Sequence, residues 1–412
     1  RILVVTQYYW PENFRINDLT KELVQKGHQV TVLTGVPNYP SGKIDIEFSK
    51  NPRKFSMHAG VKIVRIPVFT RGQGSVRLVL NYLSYAFSAS LLGLYKLRKH
   101  PFDLIFCCQL SPVTIGIPAI ILSRIKSIPL VFWVLDLWPE TLEAVGVVES
   151  KRFLSVIGKL VSYIYNQCDL ILGQSRSFLP HIKKNSGNIR VEYFPSWADD
   201  LFQIKEIDSI PLSPKSTGIF NIVFTGNIGE AQNFPAIIQA VEILKNESNI
   251  HWIIVGDGRM STWLEQEVER KGLQRYITLA GRHPIEKMPE FFRQADALLV
   301  SLKEDPIFAM TIPGKLQAYL MSGKPVLAML NGEGANIVNE SGCGVTCSAG
   351  DGASLAVAVQ QLRKMSKSDL IQMGKNGIEV SLRDFNRDKL IEQLESWMLE
   401  LVESNVNKKE LH

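Results

Sequence analysis

Cysteine is scarce in these 412 residues: five in all, Cys107, Cys108, Cys168, Cys343 and Cys347, an odd and scattered set. That excludes a disulfide framework and suits reduced thiols in a cytosol. Cys343 and Cys347 have no second pair to complete a metal site, so they read as small buried hydrophobes. The chain also lacks an HExxH helix motif, paired CxxC units and a GxGxxG turn after its first strand. These absences argue against a metallohydrolase or a dehydrogenase, and no metal is expected. No stretch reaches ~18 uninterrupted apolar residues, so a membrane-crossing helix is not expected. Neither a basic leader nor a small-residue cleavage site precedes the first apolar run, and a cytoplasmic protein is the expectation.

What is present is ordinary globular composition, 45% hydrophobic and 21% charged, in a length that suits two domains. The net charge of +6 is unevenly spread. Residues 1–200 carry 24 Lys and Arg against 14 Asp and Glu, and the remainder carries 22 against 26. Residues 43–99 hold eleven basic residues and only two acidic ones, Asp45 and Glu47. A basic region of this kind favours an anionic partner, whether nucleic acid, anionic lipid or a phosphate-bearing substrate. No RNA- or DNA-binding module accompanies it, so nucleic acid ranks last.

Hydrophobic patterning alternates between strand and helix. Residues 2–5 form a continuous apolar run, then Ile16, Leu19 and Leu23 recur at helical spacing before Gly27, and residues 29–33 resume as a strand. Further strands are predicted at 61–66, 104–107, 129–135 and 170–172. A Ser/Pro-rich stretch at 197–219 reads as a linker. The alternation then restarts with strands at 220–225, 252–255, 277–280, 297–302 and 325–330, and helices at 235–244 and 260–271. Two doubly wound α/β halves are expected, Rossmann-like and facing a central cleft. The predicted boundaries are 1–205, 206–380 and a C-terminal helix within 381–412 that packs back on the first half through Leu390, Leu394, Trp397 and Leu401.

The most specific stretch runs from residue 301 to 327. An acidic loop (Glu304, Asp305) leaves a buried strand, and Pro313-Gly314 then opens a helix with Lys315 in its first turn. A helix N-terminus offers backbone N–H groups and a positive dipole end to a phosphate, and Lys315 adds a full charge. As a plain first-turn lysine it would oppose the dipole.

This stretch resembles the donor-phosphate site of glycosyltransferase family 4, whose members have the two-domain GT-B architecture. The resemblance extends over nearly the whole chain. It includes Gly27-His28-Gln29-Val30-Thr31-Val32-Leu33-Thr34, Thr225-Gly226-Asn227, Val255-Gly256-Asp257-Gly258, Leu279-Ala280-Gly281-Arg282 and Ser322-Gly323-Lys324-Pro325-Val326. Gly35-Val36-Pro37-Asn38-Tyr39-Pro40 and Asp136-Leu137-Trp138-Pro139-Glu140 resemble the branch that builds bacterial surface polysaccharides, especially L-fucosamine transferases of the WbuB type. The resemblance implies a retaining transfer of a sugar from a UDP-sugar to a polyprenyl-diphosphate-linked acceptor in O-antigen or capsule synthesis. It implies no cofactor besides that donor, and peripheral association with the cytoplasmic face of the inner membrane.

The sequence departs from the family at several positions. The glutamate pair falls at Ala318 and near Ala309 or Met310, leaving Glu304 as a substitute. The Arg and Lys that follow the first strand of the donor half are Asn227 and Gln232. The glycine pair after the first strand of the chain is Phe14-Arg15, and the histidine before Asp136 is Leu135. A departing diphosphate needs preorganised positive charge. Arg15, Arg282 and Lys315 are the candidates, with Gly226, Asn227, Thr311 and Gly314 as further donor-binding positions. Asp136 and Glu304 are the candidate catalytic carboxylates, although Asp136 also reads as a helix N-cap. His28, His181 and His283 read as structural, and Asp257 as a turn residue. Residues 76–95, apolar between basic flanks, suit either a core helix or a membrane interface. The alternatives are a UDP-sugar 2-epimerase of the same architecture and a sugar-nucleotide-binding protein without catalysis.

Overall fold

All four residues of the opening apolar run are buried because the strand they form, β1 (Ile2–Val5), lies deep inside a sheet. The computed structural model describes residues 1–39, 42–72, 75–144, 150–202, 218–247 and 249–410. Most of the predicted linker at 197–219 therefore lies outside the described residues.

Among these residues the chain forms two compact units, one of Arg1–Pro195 with Asp388–His412 and one of Ser196–Arg387. The first holds β1, β2 (Val30–Gly35), β3 (Met57–His58), β4 (Val61–Ile66), β5 (Leu104–Gln109), β6 (Leu130–Val134), β7 (Leu170–Gly173) and β8 (Arg190–Tyr193). Their order is β3-β4-β2-β1-β5-β6-β7-β8, parallel except for the antiparallel β3–β4 pair. The second unit holds β9 (Phe220–Thr225), β10 (Ile250–Val255), β11 (Ile277–Gly281), β12 (Ala297–Ser301), β13 (Val326–Met329) and β14 (Gly344–Cys347). They run in the all-parallel order β11-β10-β9-β12-β13-β14.

Leaving aside the short β3, each sheet winds outward from its first strand in one direction and then reverses. The reversals fall between β1 and β5 and between β9 and β12. Open α/β sheets of this kind bind ligands at the carboxyl edge of the strands where the order reverses. Strands buried on both faces need apolar residues at consecutive positions, which is why β1, β5 and β6 read as unbroken apolar runs.

Three strands went unread in the sequence: β3, β8 and β14. The first two are short edge pieces with exposed residues, and β14 (Gly-Val-Thr-Cys) has one buried position in four. The last helix starts at Arg387 and runs to Glu410, after a separate helix Lys367–Asp384. It lies on the first unit: Trp397 meets Phe194 edge-on at 6.3 Å, and Glu395 pairs with Lys26 at 3.1 Å and His28 at 2.6 Å.

The first unit also carries a long apolar helical stretch. Val76–Leu97 is a helix long and apolar enough, by length and composition, to cross a membrane. Arg77 and Lys96 stand near its ends and Asn81, Ser84, Ser88 and Ser90 between them, so it holds no long run of strictly apolar residues. About a third of it (33%) is buried in the protein.

Candidate functional site

In the second unit the carboxyl ends of β9 and β10 close on one another through glycine. A Cβ on Gly256 would lie 1.8 Å from the Gly226 carbonyl oxygen, and both residues have positive φ, +149° and +121°. The Gly226 N–H donates to Val255 O at 2.8 Å, and the Gly256 N–H to Gly281 O at 2.8 Å. Only residues without a Cβ permit this approach. Gly226 serves a second purpose: a Cβ there would lie 2.6 Å from Cε of Lys315.

Lys315 stands in the first turn of the Gly314–Met321 helix. Its side chain runs under the Gly226 turn and sets Nζ 3.7 Å from the centroid of the Phe224 ring, the next-to-last residue of β9. The ammonium is buried and has no hydrogen-bond partner in the protein. Burial pushes its pKa down from 10.5 to about 7, because a charge removed from water without a partner is costly. One turn further along the helix, the Tyr319 hydroxyl accepts the Thr225 N–H at 3.0 Å and lies 3.2 Å from Thr225 Oγ1. The helix is thus clamped to the end of β9, and Lys315 is held at the reversal between β9 and β12. Phe224 and Tyr319 escaped the sequence analysis, although Tyr319 follows Lys315 at the four-residue spacing that puts both on one helix face.

The other predicted positions in this unit are more varied. Nothing lies within 4 Å of where a Gly314 Cβ would stand, so the helix start opens on free space. Thr311 spends its hydroxyl hydrogen on Ile307 O at 2.8 Å, closing the short helix Pro306–Met310. Glu304 is exposed, three residues beyond β12, and Asp305 beside it caps that short helix by accepting the Ile307 N–H at 3.0 Å. Asn227 is exposed, its amide directed at Gln232 Oε1 at 3.4 Å. Gln232 Oε1 also accepts the Gly229 N–H at 3.2 Å. The two residues in the family's Arg and Lys positions are therefore a neutral pair that shapes the turn. Arg282 is exposed past β11, near enough to help lower the Asp257 pKa after the larger effects of Ser261 and the Gly258 N–H. Asp257 accepts from both, at 2.9 and 2.7 Å, as a turn residue would.

The first unit gathers polar groups at its own reversal. Asp136 leaves β6 and its carboxylate accepts from Trp138 Nε1 at 3.2 Å and from the hydroxyls of Ser111 and Thr141. Burial raises its pKa, and those three donors oppose the rise. Its carbonyl accepts from Gln109 Nε2 at 2.8 Å, tying the ends of β5 and β6 together. Tyr82 adds a ring 6.0 Å from that of Trp138 and a hydroxyl 3.4 Å from Ser111 Oγ. Asp136 thus organises a turn through its side chain and is a part-buried carboxylate of this edge. Arg15 opens the helix Arg15–Gln25 and is half-buried. It belongs to the first unit, while Lys315 and Arg282 belong to the second. Among the described residues no group of His, Cys, Asp and Glu is arranged to hold a metal ion.

Two doubly wound sheets, each with a polar edge at its reversal, are the architecture of the GT-B glycosyltransferases. Residues 13–197 match the family described as glycosyl transferase 4-like domain, and residues 219–365 match glycosyl transferases group 1. The chain belongs to the family 4 glycosyltransferases. Among curated relatives, WbjE of Pseudomonas aeruginosa, named as a glycosyltransferase, is 26% identical over 249 residues, 58% of this chain and 61% of that protein. WcaI of Escherichia coli K12, named as a colanic acid biosynthesis glycosyl transferase, is 25% identical over 78% of this chain and 81% of its own length. Among solved structures, Anabaena HepE in complex with UDP and glucose superposes with a TM-score of 0.68 at 15% identity. That superposition covers 96% of this chain and 98% of HepE, and shows the shared fold.

Proposed function

We propose that the protein transfers a sugar from a UDP-sugar to a saccharide carried on a lipid diphosphate, with retention of anomeric configuration, in the synthesis of a bacterial surface polysaccharide. The observation that carries this reading is Lys315. A buried ammonium that meets the Phe224 ring but no hydrogen-bond acceptor, at a helix start and beside a glycine turn, suits an anion. The donor diphosphate supplies the missing charge, and as it departs Lys315 stabilises the negative charge that develops. Gly226 and Gly314 give the phosphates room to approach the backbone. Arg282 and Asn227 stand at the rim of the same edge as further donor contacts, with Glu304, in the loop after β12, as the substitute for the missing glutamates. Asp136 and Arg15 belong to the acceptor side, where Asp136 orients the acceptor hydroxyl. No metal takes part.

The relatives support the substrate class: HepE was solved with UDP and glucose, and WcaI is named for colanic acid biosynthesis. N-acetyl-L-fucosamine is the proposed sugar, after the surface-polysaccharide resemblance, and the cytoplasmic face of the inner membrane is the proposed place of work.

The test incubates purified protein with UDP-N-acetyl-L-fucosamine and a lipid-diphosphate-N-acetylglucosamine acceptor, beside Lys315→Ala and Glu304→Gln. Acceptor-dependent release of UDP that collapses in Lys315→Ala is the expected result. Full activity in that variant would remove the diphosphate from this position. An epimerised sugar nucleotide formed without acceptor would replace transfer with 2-epimerisation, and binding of UDP-sugars without turnover of any would leave a binding protein.

A further inference from the structure

The helical stretch Val76–Leu97 has two faces that ask for different surroundings. On the inner face Tyr85 and Ala89 are wholly buried. Asn81 accepts from Gln7 Nε2 at 2.7 Å and from the Tyr8 hydroxyl at 3.0 Å, and donates to Phe69 O at 2.6 Å. The Tyr85 hydroxyl lies 3.0 Å from both Thr6 O and Leu33 O. Gly93 lies so near β2 that a Cβ would come within 2.8 Å of a Leu33 methyl. On the outer face Val76, Val79, Leu83, Phe87, Leu91 and Tyr95 are between 37% and 74% exposed.

From Val79 to Tyr95 the outer residues recur every fourth position, which on a regular helix would drift steadily around the axis. The π turn Ala89–Gly93 rotates less per residue and brings Leu91 and Tyr95 back into line. The result is one apolar ridge along about five turns, well beyond the scattered exposed apolar residues normal for a protein surface.

Charge selects the occupant. No carboxylate occurs between Glu47 and Asp103, whereas Arg77 stands at one end of the ridge and Lys96, Arg98 and Lys99 at the other, all exposed. A second copy of the chain would bring these like charges together. A bilayer with anionic headgroups satisfies both features, taking the ridge into its acyl boundary and the cations into its headgroup layer.

We infer that Val76–Leu97 is an in-plane membrane-docking helix, its outer ridge inserted into the surface of an anionic bilayer while its inner face stays in the first unit. It does not span, because spanning would strip Asn81 and Tyr85 of their partners in the protein. The inference gives the proposed lipid-linked acceptor a place to be met and rests on that reading for its purpose. The test needs neither donor nor acceptor, so the two can fail separately.

Purified full chain is floated with vesicles of phosphatidylcholine alone or containing about 30% phosphatidylglycerol, a strongly anionic surface. Flotation with the anionic vesicles, weakened by salt and lost to an alkaline carbonate wash, is expected. Leu83→Ser with Phe87→Ser should lower partitioning by about tenfold or more, since two apolar anchors leave the acyl boundary. Arg98→Glu with Lys99→Glu should lower it on anionic vesicles. Both pairs are exposed, so melting temperatures should hold. A Phe87→Cys variant bearing an environment-sensitive fluorophore should shift to the blue on the same vesicles, giving a readout independent of the serine variants. Undiminished flotation of the serine pair, or no flotation of the wild type, would overturn the inference. So would carbonate-resistant binding, which means a span, or a wild-type dimer that the serine pair makes monomeric.

Discussion

Lys315 trades stability for a place to bind. The Lys315→Met variant removes a buried charge and keeps the length of the side chain, so the second unit should gain stability, on the order of a few kcal/mol at neutral pH, while sugar transfer collapses. Parallel melting curves and transfer assays check this, and equal or lower stability in the methionine variant would mean that the ammonium is better satisfied than its surroundings indicate. Its titration also predicts a pH effect on donor use. The unliganded lysine loses its proton near pH 7, whereas a bound diphosphate favours the charged form. KM for the donor should therefore climb above about pH 7, approaching tenfold per pH unit, and proton uptake on binding should appear in calorimetry as a dependence on buffer ionisation. Gly226→Ala attacks the same site sterically. Its Cβ would meet Lys315 Cε at 2.6 Å in a left-handed turn, so weaker donor binding and a loss of about 1–2 kcal/mol are expected.

At the level of elements, the Gly314–Met321 helix carries the chemistry only while it is clamped to β9. Tyr319→Phe leaves the buried Thr225 N–H without its acceptor, and should cost about 1–3 kcal/mol and raise KM for the donor more than it lowers kcat. This clamp also shows where sequence reasoning reached its limit. The bounds of β1, β4 and β9 were legible to the residue: β1 is an unbroken apolar run buried on both faces, and β4 and β9 keep a β-rich pattern around Lys62, Arg65 and Asn221. The Pro-Gly-Lys start of the helix was equally plain, since its chemistry is local. What Lys315 rests on was not, because Phe224 and Gly226, at and just past the end of β9, are far from it in sequence. Asp136 taught a similar lesson. The side chains that its carboxylate accepts from, Ser111, Thr141 and Trp138, come from two separate stretches of chain and could not be paired with it by pattern alone. The short strands β3 and β14 were missed because edge strands half in water need no apolar pattern.

For the whole molecule, two buried lysines set a pH trend. Burial lowers Lys315 to about 7 and Lys324 to about 8, against 10.5 for an ordinary lysine. Between these values and pH 10.5 the unfolded chain holds more protons than the folded one, so stability rises with pH there. From pH 9 upward the rise is opposed, since burial also raises Cys343, Cys347 to about 12 and Tyr319 to about 12, and their unfolded forms ionise first. The melting transition of the second unit should therefore climb from pH 7 to about pH 9, level off and then fall, and Lys315→Met should flatten the climb. Scanning calorimetry across that range would show it.

The return of the last helix to the first unit also sets a timetable. Ser196–Arg387 is one unbroken length of chain, whereas its neighbour is written in two instalments. On the ribosome the second unit is complete before Arg387–Glu410 has been made. Residues 1–195 wait about 10–40 s, at ordinary translation rates, with the seat of Trp397 beside Phe194 still empty. That interval leaves an apolar groove uncovered, an opening for chaperones and a hazard for aggregation. Nascent chains carried through Arg387 and extended by an unstructured linker that clears the ribosomal tunnel should show the second unit resistant to protease and the first still cut, with resistance of the first arriving only when the final helix is included.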